Sequence, residues 1–326
     1  MLIKIESDIF SSREAFSGLR SLLNIAYYEY RYDVFIELPE VRSTEQYKRL
    51  DQDDKIWVEE QFTRHIEQSN TPNYTVALDG AVSVFSLKEA IRFFSQEVFL
   101  ILENSTNDAP FLQALFKNFH PLSKKIVRHQ KNGWLTLLMG GGSGIEAAIK
   151  SRLKSYRQLP KNNPCYLRCF VLIDSDKKYP NMPLDTGKQN LITFLTERNV
   201  PYHILEKREM ENYLPDDVFD EIEGNEKFIA AYKDLTPQQK DYFDIEKGFG
   251  GKNLTSLDEN IQALYEKLEP HSTPLRRGIT YNNFKNEFPK LFRNKTITQK
   301  TLLARTQHQQ NPNELQDIIR EISQLL

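Results

Sequence analysis

Two short, almost wholly apolar runs stand out from the rest of the chain, and each ends abruptly in carboxylates. The first run, residues 98–102, is followed by Glu103, and the second, residues 170–173, is followed by Asp174 and Asp176. Continuous apolar runs of this length are typical of strands covered on both faces, as in a parallel sheet under helices. Ligands of such sheets bind just beyond the carboxyl ends of the strands. The pattern therefore places these three acidic residues at the edge of the sheet where chemistry usually occurs.

Strand and helix patterns alternate from residue 98 onward. The predicted strands are 98–102, 134–139, 167–173 and 201–205. The helices between them are predicted to begin near Pro110, at Ile145 and after Asp185, where Pro110 suits a first helical turn and Asp185 suits a cap. This alternation predicts an α/β fold in which a four-stranded parallel sheet is flanked by helices and joined by right-handed crossovers. The predicted regions of the chain are residues 1–95, 96–215 and 216–326, the last of them helical.

Residues 1–95 are predicted to form a mixed α+β region of unknown role. Its predicted helices are 13–30, 51–68 and 87–94, from the spacing of apolar residues. Within the second helix, the residues expected to face inward are Ile56, Trp57, Phe62 and Ile66. Alternating runs on either side of Asp79-Gly80 predict a β-hairpin over residues 74–85.

The composition of the 326 residues is that of a soluble globular protein, with 39% hydrophobic and 27% charged residues. The formal net charge of −2 means that any binding of nucleic acid must come from local basic patches. The two cysteines, Cys165 and Cys169, have no histidine at a zinc-site spacing, so we expect buried thiols in a reducing compartment. Because the first residues carry no signal-peptide pattern and no apolar run reaches membrane-spanning length, we expect a cytoplasmic protein without membrane contact.

The acidic strand ends have the chemistry of a metal site. Asp174 and Asp176 are separated by one residue, so on an extended backbone their side chains point the same way. Together with Glu103 they would repel one another strongly unless a cation lies between them. Ligation by oxygen alone selects a hard ion such as Mg²⁺ or Mn²⁺. The alternative is that each residue is an ordinary helix cap or loop residue, but two acidic strand ends in one sheet favour the metal site.

Glu209 and Glu211 follow the fourth predicted strand and would lie at the same edge of the sheet. They could complete the ligand set of a second ion, and two ions about 4 Å apart flank the attacking and leaving oxygens of a phosphodiester. The alternative is an exposed acidic pair at the start of a helix, where the helix dipole favours negative charge.

Residues 140–144 form a glycine-rich turn between the second predicted strand and the next helix. The backbone N–H groups of Gly141, Gly142 and Ser143 could meet a nucleic-acid phosphate there. The turn lacks the Gly-Lys-Ser/Thr of a P-loop and does not match the dinucleotide-binding spacing, which argues against an ATPase. The alternative is a tight strand-to-helix turn without a ligand.

A row of basic residues, Lys150, Lys154 and Arg157, recurs at helical spacing just after this turn. A solvated helix face is the ordinary explanation of such a row. Because the row starts beside the predicted acidic edge, contacts with the phosphates of a nucleic acid are the second interpretation.

The order of these features resembles a Toprim domain, the metal-binding fold shared by topoisomerases, primases and certain nucleases. The shared features are a glutamate after the first strand, Glu103, an Asp-x-Asp after the third strand, Asp174 and Asp176, and a four-stranded parallel sheet. Residues 206–215, Glu-Lys-Arg-Glu-Met-Glu-Asn-Tyr-Leu-Pro, are similar to the segment after the fourth strand in Toprim nucleases of the overcoming-lysogenization-defect (OLD) type, many of which are antiphage proteins. The resemblance covers roughly residues 96–215.

The resemblance implies roles for five acidic residues. Glu103 matches a metal ligand that can also act as general base. Asp174 and Asp176 match the paired metal ligands, and Glu211 matches the acidic residue of the later segment. Asp108 matches the acidic residue that usually follows the first glutamate by a few positions, although the spacing here is slightly longer.

The same family uses a lysine well downstream, which can stabilise transition-state charge. Lys300 is assigned to this role, with Lys295 as the second choice. The chain departs from the family at Asn104, where glycine normally follows the first glutamate, and it contains no Walker motif. The ATPase domain that is commonly fused to these nucleases is therefore missing, and the resemblance predicts a separately encoded ATPase or sensor protein as partner.

These observations predict a Mg²⁺- or Mn²⁺-dependent endonuclease that hydrolyses DNA or RNA with two metal ions, in antiphage defence. The alternative is a non-catalytic Toprim-like subunit that binds nucleic acid or a partner ATPase. A third interpretation is a primase-like nucleotidyl transferase, which would need nucleoside triphosphates. The predicted catalytic residues are Glu103, Asp174, Asp176, Glu211 and Lys300, and the predicted metal ligands are Glu103, Asp108, Asp174, Asp176, Glu209 and Glu211.

Overall fold

A computed structural model describes residues 1–68, 70–103, 105–141, 144–155, 167–268 and 272–326. Two four-stranded sheets, each with all of its strands parallel, follow one another along the chain, and a set of helices follows the second sheet. The predicted α/β class is therefore confirmed. No helix in this part of the chain is long and apolar enough to cross a membrane.

The first sheet is built from residues near the start of the chain. Its strands are β1 (Leu2–Ile5), β2 (Asp33–Ile36), β3 (Tyr74–Ala77) and β4 (Val84–Ser86), in the spatial order β2-β1-β3-β4. The helices of this region are α1 (Asp8–Ser11), α2 (Phe16–Leu23), α3 (Leu38–Val41), α4 (Glu45–Lys48), α5 (Gln52–Gln68) and α6 (Leu87–Phe94). A π-helical turn, Asn24–Tyr28, continues α2. The apolar faces of these elements meet in a core of their own.

The predicted hairpin over residues 74–85 is wrong. Strands β3 and β4 pair in parallel, with Val76 opposite Phe85. A tight turn, closed by the Ala81–Val84 bridge, reverses the chain a second time, so β4 runs in the same direction as β3. Val76 and Phe85 are both buried in the core. The region is therefore a parallel α/β unit and not a mixed α+β one.

Helix α5 buries fewer of its apolar residues than predicted. Trp57 is buried and stacks on Tyr27 with their ring centroids 4.8 Å apart. Ile56 and Ile66, in contrast, are 46% and 53% exposed. Because neighbouring residues on a helix point about 100° apart, Ile56 and Trp57 cannot both face the sheet.

The second sheet contains the four strands that the pattern after residue 98 predicted, each within two residues of its expected bounds. They are β5 (Val98–Leu102), β6 (Leu135–Met139), β7 (Cys169–Ile173) and β8 (Tyr202–Ile204), in the spatial order β6-β5-β7-β8. The helices between them are α7 (Ser105–Asn118), α8 (His120–Lys131), α9 (Gly144–Ser155) and α10 (Thr186–Thr196). Cys169 is buried in β7, and Cys165 lies outside the described residues.

Strands β5 and β7 are buried along their whole length because both faces of the sheet are covered. Leu100 and Leu172 belong to the core formed with α7 and α8. Ile101 and Val171, which point the opposite way, belong to the core under α9 and α10. Since successive side chains of a strand alternate between these two cores, neither strand has a polar face.

Helix α7 begins earlier than predicted. It starts at Ser105, so Pro110 lies inside the helix and not in its first turn. A proline there removes one backbone hydrogen bond, and the burial of Phe111 and Leu115 offsets that loss. Asp108 is consequently carried on the first turn of the helix, just after β5 ends.

The C-terminal region is helical, as predicted. Its α-helices are α11 (Glu226–Lys233), α12 (Pro237–Tyr242), α13 (Glu259–Tyr265), α14 (Phe284–Glu287), α15 (Gln299–Ala304) and α16 (Glu314–Gln324). Short 3₁₀ helices are Met210–Tyr213, Asp216–Glu221, Leu254–Ser256, Glu266–Leu268, Thr273–Leu275 and Phe288–Arg293. Helix α16 packs on α8, and the turn over Phe288–Arg293 packs on α7. The second sheet and the C-terminal helices therefore share one core.

Two buried arginines join the first region to the second sheet. Arg31 donates from Nη2 to the carbonyl of Gln96 over 2.6 Å. Arg168 donates to the hydroxyl of Tyr32 and to the carbonyl of Leu325, and its guanidinium lies 5.3 Å from the centre of the Tyr32 ring. These contacts link the first core, the second sheet and the residue after α16.

Candidate functional site

The glycine-rich turn after β6 packs directly against the end of β5. The N–H of Gly140 donates to the carbonyl of Leu102, and the N–H of Gly141 donates to the carbonyl of Glu103, both over 2.7 Å. A Cβ on Gly140 would lie 2.3 Å from Cγ1 of Ile145, so only glycine fits there. The turn therefore holds the backbone of Glu103 in place.

This arrangement differs from the predicted phosphate site. The N–H of Gly141 is already used by the Glu103 carbonyl, so it does not point to a ligand. Gly142 and Ser143, the other two predicted contacts, and Asn104 lie outside the described residues. Of the two interpretations of this turn, the described contacts support the tight strand-to-helix connection.

The end of β7 is covered by the segment that follows β8. Oδ1 of Asp174 accepts a hydrogen bond from the N–H of Met210 over 3.1 Å. The hydroxyl of Ser175 donates to the carbonyl of Lys207 over 2.6 Å, and the N–H of Asp176 donates to the carbonyl of Arg208 over 2.9 Å. The backbones of Lys207, Arg208 and Met210 are thus each hydrogen-bonded to one residue of the Asp-x-Asp segment.

This covering segment carries Glu209 and Glu211 to the same edge. Its 3₁₀ turn is capped by Glu209, whose N–H donates to Oδ1 of Asn212 over 3.0 Å. The amide of Asn212 donates in turn to the carbonyls of Lys240 and Phe243, over 2.8 and 2.9 Å. The position of both glutamates is therefore set by α12 and the residue after it.

The acidic residues brought together here repel one another. Burial, followed by the charges of Asp108, Glu211, Glu103 and Glu209, raises the pKa of Asp174 well above its ordinary value. Burial and then Glu209 raise the pKa of Glu211 to about 8. The pKa values of Glu103 and Glu209 are also raised, mainly by burial. This edge of the sheet consequently carries more negative charge than the neighbouring residues neutralise.

Asp176 extends the same group toward solvent. Its side chain is 50% exposed, and its backbone has the left-handed φ of +53°. The charge of Asp176 contributes to the raised pKa of both Glu103 and Glu209. Asp174 is in turn affected by the charges of Asp108 and Glu211. The six predicted metal ligands are therefore linked into one group by electrostatic interactions.

The cation that contacts this group is Lys188, which the sequence analysis missed. Its Nζ lies 3.3 Å from Oε1 of Glu103 and 2.5 Å from Oδ2 of Asp176, and it donates to the carbonyl of Asp174. Burial disfavours its ammonium, but Glu103 and Asp176 outweigh that cost and raise the pKa of Lys188. Lys188 thus bridges the ends of β5 and β7.

The sequence did contain one signal for Lys188. Helix α10 begins after Asp185, whose side chain caps it by accepting from the N–H of Lys188 over 3.0 Å. A lysine in the first turn of a helix is disfavoured by the helix dipole. Its occurrence 12 residues after an Asp-x-Asp at a strand end indicates a partner for the negative charge.

A second cation, Arg208, lies on the covering segment. Its Nε is 3.4 Å from Oε1 of Glu209, and its Nη2 donates to Oδ2 of Asp244 over 2.6 Å. Arg208 and Lys188 neutralise only part of the negative charge of these acidic residues, because burial and the neighbouring carboxylates still raise the pKa of Asp174.

The donors available for a metal ion are all carboxylate oxygens, which suits Mg²⁺ or Mn²⁺. The carboxylates of Asp174 and Glu211 are repelled by those of their neighbours, and a divalent ion would neutralise this negative charge. Within the described ranges, however, no three acidic, histidine or cysteine side chains converge closely enough to form a ligand set as they stand. An ion would therefore have to draw the carboxylates together and take over contacts now made by Lys188.

The other predicted functional lysines form no ion pair with the acidic residues of this edge in the described part of the chain. Lys300 and Lys295 are exposed, and neither forms an ion pair in the part of the chain that the structure describes. Lys150 forms an ion pair with Glu146 on α9. Lys154 is exposed in a shallow cleft beside Lys150. Arg157 lies outside the described residues.

A buried charged network supports the covering segment from behind. Lys207 is fully buried and forms an ion pair with Asp241. Nη2 of Arg305 lies 3.5 Å from the same carboxylate, and Nε2 of His308 lies 2.6 Å from it. Burial and then Arg305 lower the pKa of Lys207 to about 7. Three basic groups therefore converge on Asp241 beneath the acidic edge.

Helix α16 adds a second support. Oε1 of Glu314, a fully buried residue, accepts from the N–H of Glu206 over 2.7 Å. The same carboxylate accepts from the hydroxyl of Tyr213 and lies 3.2 Å from Nε2 of His203 in β8. Both ends of the covering segment are thus tied to the last helix.

Comparison of the chain with protein-family models, with curated proteins and with solved structures gives no match. The functional interpretation of this edge therefore depends on its own geometry and charge, and on the order in which Glu103, Asp174, Asp176 and Glu211 occur along the chain.

Proposed function

We propose that this chain is a Mg²⁺- or Mn²⁺-dependent nuclease that hydrolyses phosphodiester bonds of DNA or RNA, on a Toprim-like sheet. The observation that carries the proposal is the convergence of acidic residues from four separate elements on the carboxyl edge of one parallel sheet. They come from the end of β5, the start of α7, the end of β7 and the segment after β8. Burial, and then the charges of Asp108, Glu211, Glu103 and Glu209, raise the pKa of Asp174, and such repulsion is expected of ligands that await a cation.

In this proposal Glu103, Asp174, Asp176 and Glu211 would hold the ions, with Asp108 and Glu209 beside them. When bound, two ions activate water and stabilise the leaving oxygen of a phosphodiester. Burial raises the pKa of Glu103, which makes its carboxylate a stronger base for accepting a proton from water.

The basic residues of the edge have a separate part in this proposal. Lys188 and Arg208 are the cations that contact the acidic group, at Glu103 and Glu209 respectively. Either can attract the phosphate and stabilise the negative charge that develops on it. We assign the charge-stabilising role to Lys188, and no longer to Lys300, because Lys188 alone of the two contacts a predicted metal ligand in the described residues.

The wider biological assignment depends on the resemblance of residues 206–215 to OLD-type nucleases. Since residues 1–326 contain no Walker motif, we propose that an ATPase or sensor encoded outside these residues controls the chain. We propose antiphage defence as the setting, with this chain as the effector. Co-purification of an ATPase with the chain from its natural host would support this assignment.

The test is a cleavage assay on supercoiled plasmid and on total RNA with Mg²⁺ or Mn²⁺. Wild type is compared with Asp174→Asn and with a matched control, Asp79→Asn, which alters an exposed acidic residue after β3 of the first sheet. We expect cleavage to fall at least about 100-fold in Asp174→Asn and to be unchanged in the control. EDTA should abolish cleavage by the wild type. Equal cleavage by all three proteins would assign the activity to a contaminant and remove the proposal.

One observation favours the alternative of a non-catalytic subunit. Lys188 occupies the space between Glu103 and Asp176, so the group is partly neutralised without an ion. A binding subunit would bind nucleic acid or an ATPase and show no turnover under any metal condition. Binding that persists in EDTA, together with no cleavage by wild type in Mn²⁺, would support this alternative.

A further inference from the structure

A cleft opens beside the acidic edge, between the loop after α12 and helix α13. The cavity volume within it is about 240 Å³. Most of its wall is aromatic or aliphatic, and the residues that form this part are Tyr242, Phe249, Leu257, Ile261 and Tyr265. This volume is slightly below the roughly 300 to 1,000 Å³ of sites for drug-sized molecules, so the cleft suits a single small planar group.

Four basic residues, Lys178, Arg208, Lys247 and Lys252, line the same cleft. Lys178 follows Asp176 by two residues, and Arg208 contacts Glu209, so the cleft adjoins the acidic edge. Lys178 and Lys252 are exposed and form no ion pair among the described residues. Their positive charge is therefore available to an anionic group.

The wall of the cleft is held by contacts between two turns. Gly248 and Gly278 have φ values of +58° and +69°. A Cβ on Gly248 would lie 2.0 Å from the carbonyl oxygen of Leu275, and one on Gly278 would lie 2.4 Å from the carbonyl oxygen of Glu246. The N–H of Phe249 also donates to the carbonyl of Leu275 over 3.2 Å. The cleft is thus formed before any ligand enters, which reduces the entropy lost on binding.

We propose that this cleft receives one unstacked base of a single-stranded nucleic acid, while Lys178, Lys247 and Lys252 contact the phosphates on either side of it. This inference rests on the proposed function and names its substrate class. The apolar wall suits a base, because bases stack on aromatic side chains, and the basic residues suit the backbone. A base within a duplex would first have to leave the stack, at a cost of a few kcal/mol, so the cleft favours single strands or unpaired loops.

Binding is tested by fluorescence anisotropy in EDTA, with the full chain and a labelled strand of about 20 nucleotides. The same strand is measured single-stranded, as a duplex, and single-stranded with several abasic positions. We expect the intact single strand to bind at least about tenfold more tightly than either the duplex or the abasic strand.

Two variants locate the binding. Ile261→Trp fills the cleft and should lower the affinity for the intact single strand about tenfold, to that of the abasic strand. Its matched control is Ile56→Trp, at a half-exposed position on α5, which should bind as the wild type does. Lys252→Glu, at an exposed site where misfolding is not expected, should weaken binding to every strand and reduce its dependence on salt.

Equal affinity for the single strand and the duplex would overturn the inference, as would wild-type binding by both Ile261→Trp and Lys252→Glu. Because these measurements exclude turnover, they are independent of the cleavage assay. Failure of cleavage together with preferential single-strand binding would remove the nuclease and keep the cleft. Metal-dependent cleavage without strand preference would keep the nuclease and remove the cleft.

Discussion

The two sheets of this protein have the same strand order, β2-β1-β3-β4 in the first and β6-β5-β7-β8 in the second, and all pairs are parallel. Both also carry acidic residues after the equivalent strands. Glu6 and Asp8 follow β1 as Glu103 follows β5, and Asp79 follows β3 much as Asp174 follows β7. Topology and residue type alone would therefore give each sheet an acidic edge.

The two sheets differ in the surroundings of these acidic residues. Glu6 lies 3.0 Å from the ammonium of Lys4, and Oδ2 of Asp8 accepts from the N–H of Leu78 over 3.0 Å. Asp79 is exposed. Each acidic residue of the first sheet thus has a local partner or water. In the second sheet, burial and then the charges of neighbouring carboxylates raise the pKa of Asp174.

The cause of this difference is the segment that covers the second sheet. Residues 206–213 fold across the end of β7 and bring Glu209 and Glu211 with them, and a buried network around Asp241 holds them there. The comparison indicates that an acidic strand end becomes a site only when other acidic groups are packed against it. Three substitutions around the second sheet, each with a control in the first region, and a fourth substitution within the first region test this conclusion.

The largest effect is expected from Asp241→Ala, which removes the carboxylate shared by Lys207, Arg305 and His308. Two buried cations would be left unpaired, so the free energy of unfolding should fall by about 3 to 5 kcal/mol. Urea unfolding measures it. The control is Asp51→Ala, which breaks the exposed pair with Arg20 and should cost no more than about 1 kcal/mol. Equal losses in the two variants would show that the covering segment needs no buried support.

The next effect concerns pH. The pKa of Glu211 is about 8 in the folded protein against an ordinary 4.5, so the folded state retains a proton that the unfolded state has lost. The free energy of unfolding should therefore decrease as pH rises from about 4.5 to about 8. Glu211→Gln removes this contribution and should be more stable than wild type above pH 8, by on the order of 2 kcal/mol.

This prediction is measured by urea unfolding in EDTA at about pH 5 and about pH 9. The control is Glu6→Gln, whose partly exposed side chain is paired with Lys4 and should leave the pH dependence of the wild type unchanged. A pH dependence in Glu211→Gln as steep as that of the wild type would mean that Glu211 does not share a crowded acidic group.

A smaller effect is expected from Lys188→Met. Without the ammonium, Glu103 and Asp176 lose their shared counter-charge, and the protein should be less stable in EDTA by about 1 to 2 kcal/mol. Added Mg²⁺ should restore more stability to this variant than to wild type, because ligands that bind the folded state stabilise it. Thermal unfolding with and without Mg²⁺ measures both changes. Lys4→Met is the control in the first sheet, and a response to Mg²⁺ there would argue for a non-specific ion effect.

The smallest effect is expected from Asp8→Ala. It removes one hydrogen bond to the N–H of Leu78 at an exposed site and should cost about 0.5 to 1 kcal/mol. Metal-dependent cleavage should be unchanged. Loss of cleavage in this variant would show that the first sheet contributes to the site, contrary to the comparison.

The sequence predicted those parts of the second sheet whose surroundings follow from the pattern of neighbouring residues. The uniform apolar runs of β5 and β7 required cover on both faces, and the acidic residues had to follow at one edge. It did not predict the direction of β4, because Asp79-Gly80 signals a reversal of the chain and not how many reversals follow.

The position of Lys188 also escaped prediction, because it depends on how α10 lies over the end of β7 and not on spacing along the chain. The same limit applies to Gly141. Its place after a strand suggested a free N–H, but whether that N–H reaches a ligand depends on the neighbouring strand, where the carbonyl of Glu103 takes it.

The contacts of Glu314 have a consequence during protein synthesis. Glu314 holds Glu206, which lies 108 residues earlier in the chain, and the covering segment is tied to α16 through it. As the chain leaves the ribosome, β5 and β7 are made long before this helix, and domains fold as their residues emerge. The support of Glu209 and Glu211 at the acidic edge would therefore be complete only after α16 has been translated. The proposed activity would be weaker while the ribosome and its RNA are closest to the nascent chain.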